Sequence, residues 1–592
     1  MYKQMPPPMD SGSIYSSQSI ILNMKDLITI SAFLFASVSA LGTSRHGPSH
    51  PEVSVKNGTL TGGYNSEYDQ DFFLGIPYAQ PPVGNLRYRP PQSINQNWTA
   101  RSATKYGAWC HSAPLTLPGF SQKGFSHEES EDCLTLNVVR PNGANGFSML
   151  PVLVWIHGGG LQEGGSADQR YNMSSLVEES VQMGMPIIGV SINYRLSGFG
   201  FLQGRAVNEA GSANLGLYDQ RMALSWVQEN IAAFGGDPLS VTISGESSGG
   251  ISVGHHFLAF GGRDDGLFSG GIAESGGPLS PSAMISLDQQ DVLYENVLSH
   301  TSCINAADTL ECLRTIPADV LKAAFQGISY YPVVDGAMIE GAPSAALRNG
   351  RFVKRPLLTG SNTNEGTAFS IPTGLIVNNV TDFYSFAAAF DAGHGLSQNT
   401  IRDLSEFYLS DMSTQETRAG LDSVSPSPGP SYGSLWGRAT LYVGDSMFHA
   451  GRRYATEMWR QYGVPSYSYR FDTVPNGINP RILGATHFQE IPFVFRNLDG
   501  LGYITNPLSS NSTDISIKYN HLATLMSRMW ISFTVTQSPN SHKVSAFNLT
   551  WPVYDNTAQN MVFRLNDTHL ENDTYRNQGI RRIISAFKEY KI

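Results

Sequence analysis

Along much of the chain, short apolar runs alternate with stretches whose hydrophobic residues recur at helical spacing. Val152–Ile156 (V-L-V-W-I) is apolar at every position and is bounded by Pro151 and by His157-Gly158. An unbroken run of this kind reads as a strand covered on both faces. Ile187–Tyr194 (I-I-G-V-S-I-N-Y) and Leu239–Ser244 (L-S-V-T-I-S) are two more. Between them, Asn214–Phe234 carries Leu217, Leu224, Trp226, Val227 and Ile231 near helical spacing and ends at Gly235-Gly236, a helix with a glycine stop. Strand–helix–strand order predicts right-handed crossovers and a mostly parallel sheet. Further strands are expected at Pro356–Gly360 and Ser466–Phe471, and helices at Arg438–Tyr462 and near the C-terminus. The predicted class is α/β, with a large, mostly parallel central sheet flanked by helices.

Length alone, 592 residues, suggests several domains, but no charged, repetitive or Pro/Gly-rich linker divides the chain. The Ser/Pro-rich stretch Ser423–Ser434 reads as a surface loop. We therefore expect one domain over 41–592, preceded by an N-terminal extension and signal peptide over 1–40. From Met24 the chain has a lysine, a short apolar stretch and the small residues Val38-Ser39-Ala40, where a signal peptidase could cut. The apolar run is short and serine-rich for a membrane span. The polar, Pro-rich residues 1–23 leave two readings, a start codon assigned too far upstream or a long leading segment.

With 41% hydrophobic residues and a mean hydropathy of −0.18, the chain can bury a large core. A net charge of −10 without a Lys/Arg run argues against nucleic-acid binding. The four cysteines, Cys110, Cys133, Cys303 and Cys312, are even in number and lack metal-type pairing. Sequons stand at Asn57, Asn97, Asn172, Asn379, Asn511, Asn548, Asn566 and Asn572, which with the signal-like start points to secretion.

The pattern Gly-x-Ser-x-Gly occurs three times, centred on Ser247, Ser252 and Ser431. Ser252 falls in the helix expected after Ser247, and Ser431 lies in the Pro-rich stretch. Only Ser247 has a strand before it and a helix after it, the context in which a sharp turn exposes a nucleophilic Oγ. A serine hydroxyl also needs a base, an acid that orients the base, and donors for an oxyanion. His157-Gly158-Gly159-Gly160 follows the strand V-L-V-W-I directly, and its glycines could turn N–H groups toward a substrate carbonyl. Taken alone, Glu365 could be a loop carboxylate and His487 a satisfied histidine. His255 and His256 are adjacent, so a helix sends them to different faces, and they are neither a metal pair nor a second base.

F-L-G-I-P-Y-A-Q-P-P-V-G-N-L-R (Phe73–Arg87), S-E-D-C-L-T-L-N-V (Ser130–Val138), W-I-H-G-G-G, G-E-S-S-G-G, P-V-V-D-G (Pro332–Gly336), G-S-N-T-N-E-G (Gly360–Gly366) and G-A-T-H-F-Q-E-I-P-F-V-F (Gly484–Phe495) follow one another. Together they resemble the type B carboxylesterase/lipase family of α/β-hydrolases, over most of the sequence after about residue 50. The resemblance implies Ser247 as nucleophile, Glu365 as triad acid and His487 as base, with Gly159, Gly160 and the Ser248 N–H as oxyanion hole. Ser248 stands where the family usually has alanine. The resemblance also implies the disulfides Cys110–Cys133 and Cys303–Cys312, a structural ion pair between Arg87 and Glu131, and no metal or cofactor.

The segment closed by Cys110 and Cys133 corresponds to the family's lid. It is short, carries Leu115, Leu117, Phe120 and Phe125, and has no tryptophan, which argues against a choline-ester specialist. The expected activity is therefore hydrolysis of short- to medium-chain carboxylic esters by a secreted enzyme, with a small-molecule ester as its partner. The alternatives are a lipase or sterol esterase for long chains, a tailoring esterase or lactonase of a fungal secondary metabolite, and, remotely, a non-catalytic adhesion protein of the same fold.

Overall fold

The computed structural model describes residues 50–590 apart from 121–126, 280–284, 392–395 and 411–428. The expected signal peptide, lid residue Phe125 and the first half of the Ser/Pro-rich stretch lie outside the described residues. The architecture is built on one eleven-stranded sheet. In chain order its strands are β1 (Gly63–Asn65), β2 (Gln70–Pro77), β3 (Thr135–Pro141), β4 (Leu150–Ile156), β5 (Ile188–Ile192) and β6 (Gly236–Glu246). They continue with β7 (Gly270–Glu274), β8 (Leu357–Asn362), β9 (Ser466–Phe471), β10 (Gln559–Phe563) and β11 (His569–Asn572). Their order across the sheet is β11-β10-β9-β8-β7-β6-β4-β5-β3-β2-β1. Every pairing from β10 to β5 is parallel, and the pairings at the two ends are antiparallel.

β4 shows why an all-apolar run is needed here. Val152, Val154 and Ile156 enter the core on one face of the sheet, while Leu153 and Trp155 enter the core on the other. The period of two is present, but both phases are buried, so no position can be polar at low cost. The helix predicted over Asn214–Phe234 is α1 (Leu215–Asn230) followed by a tighter turn, Ile231–Phe234. It stops where Gly235 takes a φ of 93°, a left-handed conformation that glycine adopts without a Cβ clash.

One expectation needs correcting. The continuous helix predicted over Arg438–Tyr462 is α3 (Trp436–Gly444), a wide π turn over Asp445–His449, and then α4 (Ala450–Gln461). No described helix is long and apolar enough to cross a membrane.

The carboxyl ends of β4, β6, β8 and β9 open toward one edge of the sheet, where α/β folds bind their ligands. The segments leaving those ends carry His157–Gly160, Ser247, Glu365 and His487.

Candidate active site

β6 ends at Glu246, and α2 (Ser248–Gly262) begins two residues later. Between them Ser247 is held at φ 57°, ψ −124°, a conformation that costs a non-glycine residue on the order of 1–3 kcal/mol. The flanking glycines make the reversal possible. A Cβ on Gly249 would sit 2.1 Å from the carbonyl oxygen of Ile156, and one on Gly245 would sit 2.5 Å from Gly249 itself. The Ser247 N–H donates to the carbonyl of Glu274 at 2.9 Å. Among its fully buried neighbours on the turn, Ser247 alone keeps some solvent exposure. Of the other two matches, Ser252 is buried in α2 with its hydroxyl donating to the Ser248 carbonyl, and Ser431 lies in an exposed turn.

Residues far apart in sequence meet beside this turn. His487 Nδ1 and Glu365 Oε2 are hydrogen-bonded at 2.7 Å, and Glu365 Oε1 accepts the Asn362 N–H at 2.7 Å. Both side chains are buried. The rings of Phe369 and Phe448 each lie 5.0 Å from the imidazole, so packing fixes the ring as well. His487 Nε2 has no hydrogen-bond partner among the described residues, Ser247 Oγ included. Glu246 Oε1 approaches it to 3.2 Å without the alignment of a hydrogen bond. Catalytic contacts of this kind often close only when substrate binds.

Three further carboxyls crowd the same pocket of structure. Glu490 accepts from Ser275 Oγ at 3.0 Å and from Asn362 Nδ2 at 2.6 Å. Burial, and then the charge of Glu365, push its pKa up to about 7 against the opposing Asn362 bond. Glu246 is driven well above the usual carboxylate range by burial and by Glu490, Glu365 and Glu274. Glu274, faced by the indole of Trp530, is raised by burial and Glu490. Among the described residues no glutamate of this group is hydrogen-bonded or ion-paired to a guanidinium or ammonium. Burial of four like charges without a cation favours the neutral acid wherever fewer hydrogen bonds support the ion. Sequence reasoning missed Glu246, Glu274 and Glu490; Glu246 and Glu490 stand in the quoted motifs, but nothing local indicates that they converge.

The glycine loop packs against the same turn. A Cβ on Gly158 would come within 3.1 Å of both Ser247 Cβ and Glu246 Oε2. Gly159 and Gly160 take φ values of 105° and 64°, which only glycine adopts freely. His157 stacks on Tyr194 at 4.5 Å, and burial lowers its pKa to about 4, so it is a neutral wall rather than a second base.

The lid folds back onto this region. Its stem is the two-stranded pairing of Trp109–Cys110 with Glu129–Ser130, closed by the Cys110–Cys133 disulfide. The Leu115 N–H donates to Glu163 Oε2 at 2.9 Å. Phe120 packs edge-on against Phe488 at 4.5 Å, and the Arg170 guanidinium lies over both rings. Gln489 Nε2 donates to the Gly119 carbonyl at 2.8 Å. The lid is thus tied to the residues that follow His487.

Elsewhere, Cys303–Cys312 is the second disulfide, and Arg87 and Glu131 form a two-pronged ion pair at 2.6 Å. His255 and His256 are both buried in α2 with lowered pKa, and His256 Nε2 meets Gln220 Oε1 at 3.0 Å. Among the described residues no group of His, Cys, Asp or Glu is arranged to hold a metal ion. Asn97, Asn379, Asn511, Asn548, Asn566 and Asn572 are exposed, whereas Asn57 and Asn172 are half-buried.

Residues 49–581 match the sequence model described as the Carboxylesterase family. Secreted lipase 1 of Botryotinia fuckeliana is 32% identical, over 92% of this chain and 94% of its own. Lipase 2 of Geotrichum candidum is 31% identical, over 94% and 98%. The crystal structure of Aspergillus niger EstA superposes with a TM-score of 0.77 at 27% identity, covering 92% of this chain and 99% of that one. The chain belongs to the carboxylesterase family of serine ester hydrolases.

Proposed function

We propose that the protein is a secreted carboxylic ester hydrolase that works through an acyl-enzyme on Ser247, with His487 as base and Glu365 as its orienting acid. The observation that carries this reading is the 2.7 Å bond from His487 Nδ1 to a buried Glu365 beside a serine held at φ 57°. In this scheme Ser247 Oγ bonds to the ester carbonyl carbon while its proton passes to His487 Nε2. Glu365 keeps the imidazole in the tautomer that accepts at Nε2 and stabilises the imidazolium. The carbonyl oxygen becomes an oxyanion that accepts from the N–H groups of Gly159, Gly160 and Ser248, each worth about 3 kcal/mol in comparable sites. The proton on Nε2 goes to the departing alkoxide. Water then repeats the cycle on the acyl-enzyme and releases the acid.

Short- to medium-chain esters suit a short lid that is tied down at Gly119 and Phe120 and has little slack to swing away from an oil surface. A long-chain reading is favoured by one observation, that relatives matching nearly the full length are named lipases. Secretion is supported by relatives named as secreted lipases and by the exposure of most sequons. Hydrolysis of p-nitrophenyl esters from acetyl to palmitoyl tests the proposal, with Ser247→Ala as the blank. We expect a maximum at short chains and a loss of at least about 10⁴-fold in Ser247→Ala with the fold intact. Activity retained in that variant would remove the nucleophile assignment; a maximum at palmitoyl would replace the esterase reading with the lipase one.

A further inference from the structure

Ser248 follows the proposed nucleophile, and its backbone N–H already has a proposed role. Its side chain has a separate set of partners. The hydroxyl is buried, and the backbone N–H of Leu161 donates to Ser248 Oγ at 3.1 Å. Tyr194 stands next to this hydroxyl, which works against the burial that raises the phenol's pKa. Tyr194 Oη in turn donates to the carbonyl of His157 at 2.7 Å. The tyrosine proton is committed to His157, and a lone pair of Ser248 Oγ receives the Leu161 N–H.

His157 and Leu161 are the two ends of the glycine loop. The hydroxyl on the elbow therefore ties down the loop's last N–H directly, and the neighbouring Tyr194 ties down its first carbonyl. Between these ties lie Gly159 and Gly160, whose backbones have the widest conformational freedom of any residue. The elbow end is itself anchored. The Ser248 carbonyl accepts from Ser252 Oγ at 2.8 Å, Ser252 accepts from Gln220 Nε2 at 3.0 Å, and Gln220 Oε1 meets His256 Nε2 at 3.0 Å. Helix α2 thus presents a fixed point to a loop that is flexible by composition.

We infer that the Ser248 hydroxyl is a positioning residue for ester hydrolysis: through Leu161, and with Tyr194 holding the other end of the loop, it keeps the Gly159 and Gly160 N–H groups where the oxyanion forms. The inference rests on the proposed roles of Ser247 and the glycine loop. Donors aimed at an oxyanion must be held to within about 0.5 Å to be worth their full strength. An alanine at 248 leaves the Leu161 N–H buried without a partner, and the loop can regain one only by moving. Such movement weakens the transition state while leaving the ground-state ester, which has little charge on its oxygen, almost unaffected.

The test compares wild type, Ser247→Ala, Ser248→Ala, Tyr194→Phe and the Ser248→Ala/Tyr194→Phe double variant on p-nitrophenyl acetate. An alkylboronic acid that adds to the active serine serves as the transition-state probe. Complete loss of one oxyanion donor lowers kcat about 10²- to 10³-fold; loosening two that remain present should lower it roughly tenfold. The expected result is a tenfold lower kcat in Ser248→Ala at unchanged KM, with boronic acid affinity falling by the same factor, as an interaction made only in the transition state requires. Tyr194→Phe should fall in the same direction, and the double variant should lose less than the product of the two singles, because both release the same loop. A full kcat in Ser248→Ala, with or without a lower Tm, overturns the inference, as does a raised KM with kcat intact. Activity retained in Ser247→Ala would instead remove the site assignment, and this inference with it.

Discussion

Two clusters of buried charge, one beside β9 and β10 near an edge of the sheet and one over the ends of β6 and β7 near its middle, follow opposite rules. In the first, around β9, β10 and α4, each carboxylate is matched. Asp573 Oδ1 accepts from Arg452 and Arg453 at 2.8 Å each, and Oδ2 from Arg452 and Tyr554 at 2.8 Å. Asp445 receives a two-pronged Arg576 at 2.7 Å and the Tyr408 hydroxyl at 2.7 Å. The ring of Tyr575 lies within 5 Å of the Arg453 and Arg576 guanidinium groups. These cations hold Asp573 far below the usual carboxylate range despite its burial. In the second cluster, Glu246, Glu365 and Glu490 lie around one histidine and Glu274 lies beside them; among the described residues none is paired with such a cation, and Glu246 has no hydrogen bond at either oxygen. Matched charges make a joint that resists change; unmatched ones keep protons within reach of neutral pH. A carboxyl that is buried and uncompensated is costly for stability, and its position beside Ser247 is where such a cost has a use.

The contrast predicts different failures. Asp573→Ala leaves Arg452 and Arg453 buried without their anion, which should cost about 3–5 kcal/mol. We expect a much lower urea midpoint and an unchanged kcat per folded molecule. A loss below about 1 kcal/mol would mean that the matched cluster is not structural.

The unmatched cluster should instead appear as a pH dependence. Glu490 keeps its proton in the folded state up to about pH 7, whereas in the unfolded chain it titrates near 4.5. Between those values the folded protein binds more protons, so stability falls as pH rises, by up to about 3 kcal/mol. Its contribution is fully present below pH 4.5 and lost as pH passes 7. Asp573 has the opposite sign, and its contribution is lost only in strong acid, outside this window. Urea midpoints measured from pH 5 to pH 8 should decline in the wild type and decline less in Glu490→Gln. Identical slopes in the two proteins would exclude Glu490 as the titrating group.

The same distinction separates what could be read from sequence and what could not. The turn at Ser247 was legible because its causes are local: an apolar strand, small residues and a following helix within a dozen positions. Glu365 and His487 were legible only through the order of motifs, since more than a hundred residues separate each member of the set. Glu246, Glu274 and Glu490 became a group only because β6 and β7 are neighbours and the loops after β8 and β9 fold over their ends. Periodicity also missed the π turn at Asp445–His449. Helical spacing does not encode one wider turn, and here long-range partners accompany it: Phe448 packs on His487, and His449 Nδ1 meets Ser361 Oγ at 2.8 Å. Residues 121–126 of the lid and the expected leader lie outside the described residues.

Glu246 gives the finest test of the comparison, with the smallest expected effect. Its carboxyl lies 3.2 Å from His487 Nε2, the atom proposed to receive the Ser247 proton. An ionised Glu246 would stabilise an imidazolium beside it. Burial and the neighbouring carboxylates favour its neutral form. Glutamine has the same shape as the neutral acid, so Glu246→Gln should keep kcat within about threefold, roughly 0.7 kcal/mol. The acid limb of the kcat/KM profile should stay where it is. A downward shift of that limb by one unit or more would show that a negative charge had been removed from beside the histidine. In that case the cluster carries two anions, Glu246 and Glu365, on opposite sides of one imidazole, and the proton shared among these carboxyls belongs to Glu490 and Glu274 alone.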